Sequence, residues 1–279
     1  MPPNPPTRSI LSDLLFTAFS NRTDALELAA AVGAELGALG VDSSLHLLDA
    51  AVDPPVGPKT VVVSLGGDGT FPRAARLTHR AGARIVAVNL GQVGFLLDVP
   101  STEVASTVVG ALEGAPVVER LALRIDVDGV VEDEFALNEV VVERPAAGHM
   151  VKVRTYVDDE EYLTYTADGA MVSTPTGSTG YSLSAGGPVV DPSMGLLVIT
   201  PVAPHFTIDR SIIVPADAVV RLEVLDKPAV VVGDGQRVAT LEPGGSVVVR
   251  RNARPVRVVA TRNFGLASRL RRSLREGHA

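Results

Sequence analysis

Val61-Val62-Val63-Ser64-Leu65-Gly66-Gly67-Asp68-Gly69-Thr70 runs an apolar segment straight into a glycine cluster with one carboxylate at its centre. Residues 61–65 carry no charge and are rich in β-branched side chains, the composition of a strand covered on both faces. Gly66, Gly67 and Gly69 then permit backbone angles closed to other residues, and they let a phosphate approach main-chain N–H groups. Thr70 leads into a helical pattern, Ala74, Ala75 and Leu77 with Arg73 and Arg76 between them, so the loop opens onto the positive end of a helix. Asp68 is the odd member. A carboxylate beside a phosphate cradle is electrostatically unfavourable unless it organises a metal ion or accepts a proton. The alternative is an ordinary strand–turn–helix corner with Asp as a turn former. The loop is not a Walker A motif: no Gly-Lys-Ser/Thr follows, and the lysines of the chain are Lys59, Lys152 and Lys227. Nor does it have the G-x-G-x-x-G spacing of a dinucleotide fingerprint.

A chain of 279 residues allows one large domain or two modest ones. Its 46% hydrophobic and 20% charged residues are enough to bury a full core, and with 4% aromatics that core rests on Val, Leu, Ile and Ala. The net charge of −7 argues against a general nucleic-acid binder. The basic tail from Arg262 to Arg275, at helical spacing, reads as a solvated helix face. No cysteine is present, which excludes disulfides, Cys-ligated zinc and thiol catalysis in this chain and fits a cytoplasmic protein. Met1 to Pro6 reads as a disordered leader, and Met1 to Ser9 lacks the charged-then-apolar pattern of a secretory signal. No apolar run reaches membrane-spanning length, so the expectation is a soluble protein with no membrane partner.

Taken in order, Leu14 to Ala18 is a first strand. Asp24 to Leu39 is an amphipathic helix, with Thr23 or Asp24 placed to cap it and Gly40 to stop it. Ser43 to Leu48 is a second strand, and Ile85 to Val88 another, ending in Asn89-Leu90-Gly91-Gln92-Val93-Gly94-Phe95-Leu96. Strands alternating with helices predict a parallel sheet covered by helices, with ligands beyond the carboxyl ends of the strands. Both glycine loops lie at such ends, which lets them converge on one crevice. After a helical stretch near Thr102 to Leu112, short β-type runs separated by turn signals extend from Val117 to about Val259. Two domains follow: an α/β domain over residues 1–100 and a β-rich domain over 101–260. The four acids Asp158 to Glu161 lie between two strand patterns and read as a solvated hairpin turn rather than a metal site. Phe264 to Arg275 reads as a short amphipathic helix.

In the second half, Asn138-Glu139 interrupts the apolar run Phe135 to Val142, where a polar pair either caps an internal network or faces a ligand. Asn supplies donor and acceptor and Glu acceptors, a set suited to ribose hydroxyls or an adenine edge. Asp168 to Pro188 is the densest run of glycines and hydroxyls in the chain. Ser173, Thr174, Thr176, Ser178 and Thr179 make a loop able to hold phosphate or sugar, with Tyr181 available to stack on a ring; a low-complexity linker is the competing reading. His205 and Arg210 are minor candidates. No Ser-His-Asp or His-x-x-x-His arrangement supports a hydrolase or zinc site.

Together these stretches resemble the NAD kinase family. The resemblance runs through Gly66 to Thr70, Asn89 to Leu96, Leu137-Asn138-Glu139, His149-Met150, Asp168 to Gly187, Pro204-His205 with Arg210, and Asp234-Gly235-Gln236. Gly-Gly-Asp-Gly-Thr alone also occurs in lipid kinases and phosphofructokinases; joined to Thr-Pro-Thr-Gly-Ser-Thr-Gly-Tyr-Ser-Leu-Ser-Ala-Gly-Gly-Pro it is specific. The resemblance implies an α/β N-terminal domain plus a β-rich C-terminal domain, with a C-terminal helix over 261–279 packing back on the first. It also implies phosphoryl transfer from ATP or polyphosphate to the adenosine-ribose 2′-hydroxyl of NAD, giving NADP. Asp68 would be the general base and an indirect, nucleotide-borne contact of Mg²⁺. Gly66, Gly67, Gly69 and Thr70 would meet the phosphate donor. NAD would meet Asp68, Gly69, Arg73, Phe95, Asn138, Glu139, His149, Asp168, Thr176, Thr179, Gly180, Tyr181, Ser182, Leu183, Ser184 and Gln236. Homodimers or homotetramers are implied as well. The chain departs from the family pattern at the apolar end of Leu14 to Ala18, at Pro72, at Gly180 and at Ser211. Two other readings compete: a lipid or sphingoid-base kinase sharing the glycine loop, and a non-catalytic NAD(H)-binding sensor.

Overall fold

The structure is a computed structural model that describes residues 14–91, 97, 99–127, 129–205, 208–261 and 271. Its elements begin with β1 (Leu14–Ala18), α1 (Thr23–Ala38), β2 (Ser43–Leu47), β3 (Val61–Gly66), α2 (Thr70–His79), β4 (Arg84–Asn89), β5 (Val99–Pro100) and α3 (Val104–Leu112). There follow β6 (Val117–Arg120), β7 (Leu123–Val127), β8 (Val131–Ala136), β9 (Glu139–Glu143), β10 (Val151–Val157), β11 (Glu160–Ala167), β12 (Gly169–Ser173) and α4 (Tyr181–Ser184). The chain continues through β13 (Leu196–Val202), β14 (Ile212–Pro215), β15 (Val220–Val224), β16 (Ala229–Gly233), β17 (Gln236–Leu241), β18 (Ser246–Arg251) and β19 (Val256–Val259).

Two compact units result. The first holds the chain up to Val117 and takes it back at Arg257. Its sheet runs β2-β1-β3-β4-β19-β6 with β5 beside β4, and β1, β2, β3, β4, β5 and β19 pair in parallel. Every residue of β3 is buried, as its unbroken apolar run requires. Helix α1 covers the sheet with Ala25, Ala29, Val32 and Leu36, one stripe at helical spacing. Gly40 takes a positive φ of 80° and ends that helix, with the Val41 amide donating back to the Leu36 carbonyl. The start of α1 differs from expectation. Arg22 is the N-cap, and no side chain caps the helix. The Asp24 carboxylate is taken instead by the Arg22 guanidinium at 2.6 Å, which holds it below the usual carboxylate range.

The boundary between the units also moves from the expected residue 100 to Val117. Val104, Val108 and Ala111 of α3 are buried in the same core as Leu65 and Val88, so this helix belongs with the parallel sheet. Phe95, the rest of Gln92 to Leu96, and the expected terminal helix lie outside the described residues, Arg271 excepted.

The second unit holds two six-stranded antiparallel sheets, β11-β10-β15-β18-β7-β8 and β14-β13-β12-β9-β16-β17. They bury one shared core. Leu123, Ile125 and Val127 alternate inward from β7, while Val140 and Val142 of β9 and Val172 of β12 come from the other sheet. Asp158 and Asp159 form the expected hairpin turn between β10 and β11, with φ of 51° and 66°. Asp158 is anchored there, because its Oδ1 accepts the Val219 amide at 2.8 Å. Asp159 has no such contact in that turn and bears left-handed strain. Asp159→Gly is therefore expected to raise stability by roughly 0.5–1 kcal/mol in urea unfolding, whereas Asp158→Gly lowers it.

Candidate active site

In the first unit the site is assembled where β3 and β4 end. The Leu90 amide donates to the Gly66 carbonyl at 2.9 Å, and the Arg22 guanidinium donates to the Leu90 carbonyl at 2.9 Å. Asn89 turns its side chain onto the Gly91 amide at 2.9 Å. The two glycine loops thus meet, as strand carboxyl ends predicted. Thr70 and Phe71 donate their amides to the Gly67 carbonyl at 2.9 and 3.3 Å and close the first turn of α2. Pro72 sits within that first turn, where its missing N–H removes no helical bond.

The glycines here are of two kinds. A Cβ on Gly66 would collide with the Thr70 side chain, so the protein itself demands glycine at that position. A Cβ on Gly67 or Gly69 would meet nothing within 4 Å. Gly69 moreover has the ordinary helical φ of −77°. Among the described residues nothing requires glycine at 69, and open space over two glycines is what a closely approaching phosphate needs. Asp68 lies half-buried between them with its Oδ1 shielded from solvent. Arg73 follows one turn into α2, half-buried.

In the second unit the site is built around Asp234, a residue that carries the resemblance but was given no contact of its own. The Asp234 carboxylate accepts the amides of Leu137, Asn138 and Glu139 at 2.6, 2.7 and 3.3 Å. Asp234 occupies the β16–β17 turn at φ 47°, followed by Gly235 at 73°, and its own amide donates to the Glu139 carbonyl at 3.1 Å. From the other side Thr174 donates its amide to the Asn138 carbonyl at 2.8 Å and its hydroxyl to the Leu137 carbonyl at 2.7 Å. Gly177 presses so close that a Cβ would strike the Asn138 backbone. The main chain at 137–139 is therefore fully engaged. The side chains are not: Asn138 Oδ1, Glu139 Oε2 and Thr176 Oγ1 are all buried without a hydrogen-bond partner. Burial, reinforced by the Asp234 charge, pushes the Glu139 carboxyl up to about 8.

The hydroxyl-rich loop divides its labour in a way that its composition did not disclose. Ser178 accepts the Val190 amide at 3.0 Å and donates to the Pro175 carbonyl at 2.7 Å. Ser182 is buried against Thr200 at 3.3 Å, and Thr200 against Ser211 at 2.9 Å. Ser173, Thr174, Ser178 and Ser182 thus bond within the protein and shape the loop from inside. Gly180, Tyr181, Leu183 and Ser184 are its exposed face, and Thr179 is half-buried. Gly180 leaves room beside the carboxylate: a Cβ there would lie 3.4 Å from Glu139 Oε2. Asp168 pairs with Arg144 at 2.9 Å. Burial and then the charges of Glu143, Asp168 and Glu139 raise the Tyr181 hydroxyl. His149 is exposed, and Gln236 is half-buried at the start of β17. His205 and Arg210 are exposed, with Arg210 paired to Asp209 at 3.5 Å.

Comparison with known proteins places these features in a context. Residues 59–115 match the model of the ATP-NAD kinase N-terminal domain, and residues 137–261 that of the ATP-NAD kinase C-terminal domain. The NAD kinase of Acetivibrio thermocellus is 40% identical over 201 residues, 70% of this chain and 69% of the relative. That of Heliobacterium modesticaldum is 39% identical over 223 residues, covering 78% of this chain and 79% of the relative. Among solved structures, yeast NADH kinase complexed with NADH is similar in fold at a TM-score of 0.78 and 21% identity, over 93% of this chain and 85% of that one. An NAD kinase from Archaeoglobus fulgidus in complex with ATP gives 0.71 at 25% identity, over 95% and 98%.

Glu139 makes a stability prediction independent of any ligand. Its carboxyl titrates higher folded than unfolded, so the native chain holds a proton that the unfolded chain releases. The associated stability is complete at pH values below the unfolded value of about 4.5 and is lost as pH rises towards 8. Glu139→Gln is expected to melt higher than the parent at pH 8, with the gap closing by pH 5, in thermal scans across that range.

Proposed function

The chain belongs to the NAD kinase family, and on that premise we propose that Asp68 is the general base for transfer of the terminal phosphoryl group of ATP to the 2′-hydroxyl of NAD's adenosine ribose. The protein is an NAD kinase, phosphorylating NAD to NADP at the expense of ATP. In the proposed step the 2′-hydroxyl gives its proton to Asp68 as its oxygen bonds the γ-phosphorus, and the bond from that phosphorus to the ADP oxygen breaks. The observation that carries the reading is a carboxylate held between two glycines whose missing side chains leave open space. That combination suits a proton acceptor beside phosphates.

The first unit would serve the donor through Gly66, Gly67, Gly69 and Thr70, with ATP preferred to polyphosphate. Gly66 and Thr70 act there by packing on each other, and Gly67 and Gly69 by leaving room. Mg²⁺ fits as an ion carried by the nucleotide rather than by a protein cage. Among the described residues no three His, Asp or Glu side chains stand together as a metal-binding group, and Asp68 is the one carboxylate of the loop. Bound there, the ion would neutralise charge on the phosphates. The second unit would hold NAD through Asn138, Glu139, Asp168, Thr176, Tyr181 and Gln236, with Gly180, Leu183 and Ser184 on the same exposed face. Support for this assignment comes from the three buried polar atoms without partners, which call for a ligand rich in hydrogen-bonding groups. The reading extends to a homodimer or homotetramer in the cytoplasm. Among the described residues no helix is long and apolar enough to cross a membrane.

Purified protein supplied with NAD and MgATP is expected to form NADP. Asp68→Asn should lower turnover by roughly 10²–10⁴-fold while leaving NAD affinity nearly unchanged. Equal losses in turnover and binding would remove Asp68 from the role of base. Phosphorylation of a lipid in preference to NAD, or binding of NAD with no product from ATP or polyphosphate, would overturn the reading itself.

A further inference from the structure

Glu139 occupies a site whose buried polar atoms lack partners. Its Oε2 is buried and unpartnered, as are Asn138 Oδ1 and Thr176 Oγ1. The residue is 8% exposed. The groups that bear on it bring no compensating cation. Asp234, from the β16–β17 turn, contributes a carboxylate fixed by three amides. Glu143, on the same strand, and Asp168 act with Glu139 on Tyr181 of α4. Arg144 is nearby but is taken up by Asp168 at 2.9 Å. Ser173, paired opposite Glu139 on β12, and Thr176 and Gly180 in the covering loop are neutral. A buried carboxylate among acids, with no hydrogen-bond donor for one oxygen, is stable as the neutral acid.

A ligand presenting hydroxyls reverses this balance, because each hydroxyl donates to an acceptor that the NAD-free protein leaves bare. Hydrogen bonding to the charged form favours the charged form. We propose that Glu139 is protonated in the NAD-free protein and releases its proton to solvent as the hydroxyls of a bound NAD ribose donate to it, so that NAD uptake is coupled to pH. This inference rests on the assignment of NAD to the second unit. The balance is simple: carboxylic acid and NAD give carboxylate-bound NAD and one solvent proton. The carboxyl in the NAD-free protein, pushed up to about 8, places the coupling in the neutral range.

The test is calorimetric titration of the full chain with NAD, without ATP, in buffers of different ionisation enthalpy. Nearly one proton is expected to leave per NAD bound at pH 7, with affinity rising about tenfold per pH unit up to about pH 8 and levelling above it. Glu139→Gln should bind NAD with no proton release and no pH dependence. Binding by the parent without proton release overturns the proposal, as does release that survives in Glu139→Gln. Should Glu139→Gln fail to bind, the parent's proton count still decides. Absence of NAD binding at every pH would instead remove the NAD assignment, and the coupling with it.

Discussion

One carboxylate holds the second unit's site in shape. Asp234 accepts three consecutive amides, those of Leu137, Asn138 and Glu139, in the bend between β8 and β9 where no neighbouring strand supplies acceptors. A carboxylate satisfied by backbone N–H groups stays ionised and is worth more than a neutral acceptor. Its charge then raises the Glu139 carboxyl beside it. The same residue thus fixes where Asn138 and Glu139 stand and adds its charge to the burial that raises the Glu139 carboxyl. Thr174 and Gly177 close the arrangement from the opposite side, which leaves the two side chains as the free hydrogen-bonding capacity of the segment.

Gly66, Gly67, Gly69, Gly177 and Gly187 are of two kinds, and the difference has a physical cause. Gly66 and Gly177 are required by crowding within the protein, against Thr70 and the Asn138 backbone. Gly187 is of the same kind, with the Thr200 hydroxyl 3.1 Å from where its Cβ would be. Gly67 and Gly69 have no crowding at all, and the space over them is the room that a phosphate requires. Composition reads the five alike. Only the surroundings separate a glycine that packs from a glycine that makes way.

Much of the fold was legible because its signals are local. The apolar run 61–65, the stripe of α1, Gly40 as its stop and the Asp158-Asp159 turn each rest on a few neighbouring residues. The glycine loop and the Asn138-Glu139 pair stood out for the same reason, as polar or flexible residues inside apolar strand patterns. What escaped notice depends on partners far along the chain. The Asp234 carboxylate finds amides nearly a hundred positions away, and Ser178 and Ser182 find Val190 and Thr200 across a loop and a strand. Hydroxyls that build a loop and hydroxyls that face its ligand have the same composition. The assignment of α3 was missed likewise, since a helix between two textures shows its allegiance only through the core into which it packs.

On the proposed reading, NAD would take the region set up by Asp234 and the phosphate donor the glycine-lined region. Equilibrium binding of NAD and of MgATP to Asp234→Ala, at about pH 9 where Glu139 is ionised in parent and variant alike, tests that separation most directly. Three buried amides lose their acceptor, so NAD affinity is predicted to fall by roughly ten- to a hundred-fold with MgATP affinity unchanged. NAD affinity equal to that of the parent would contradict the account.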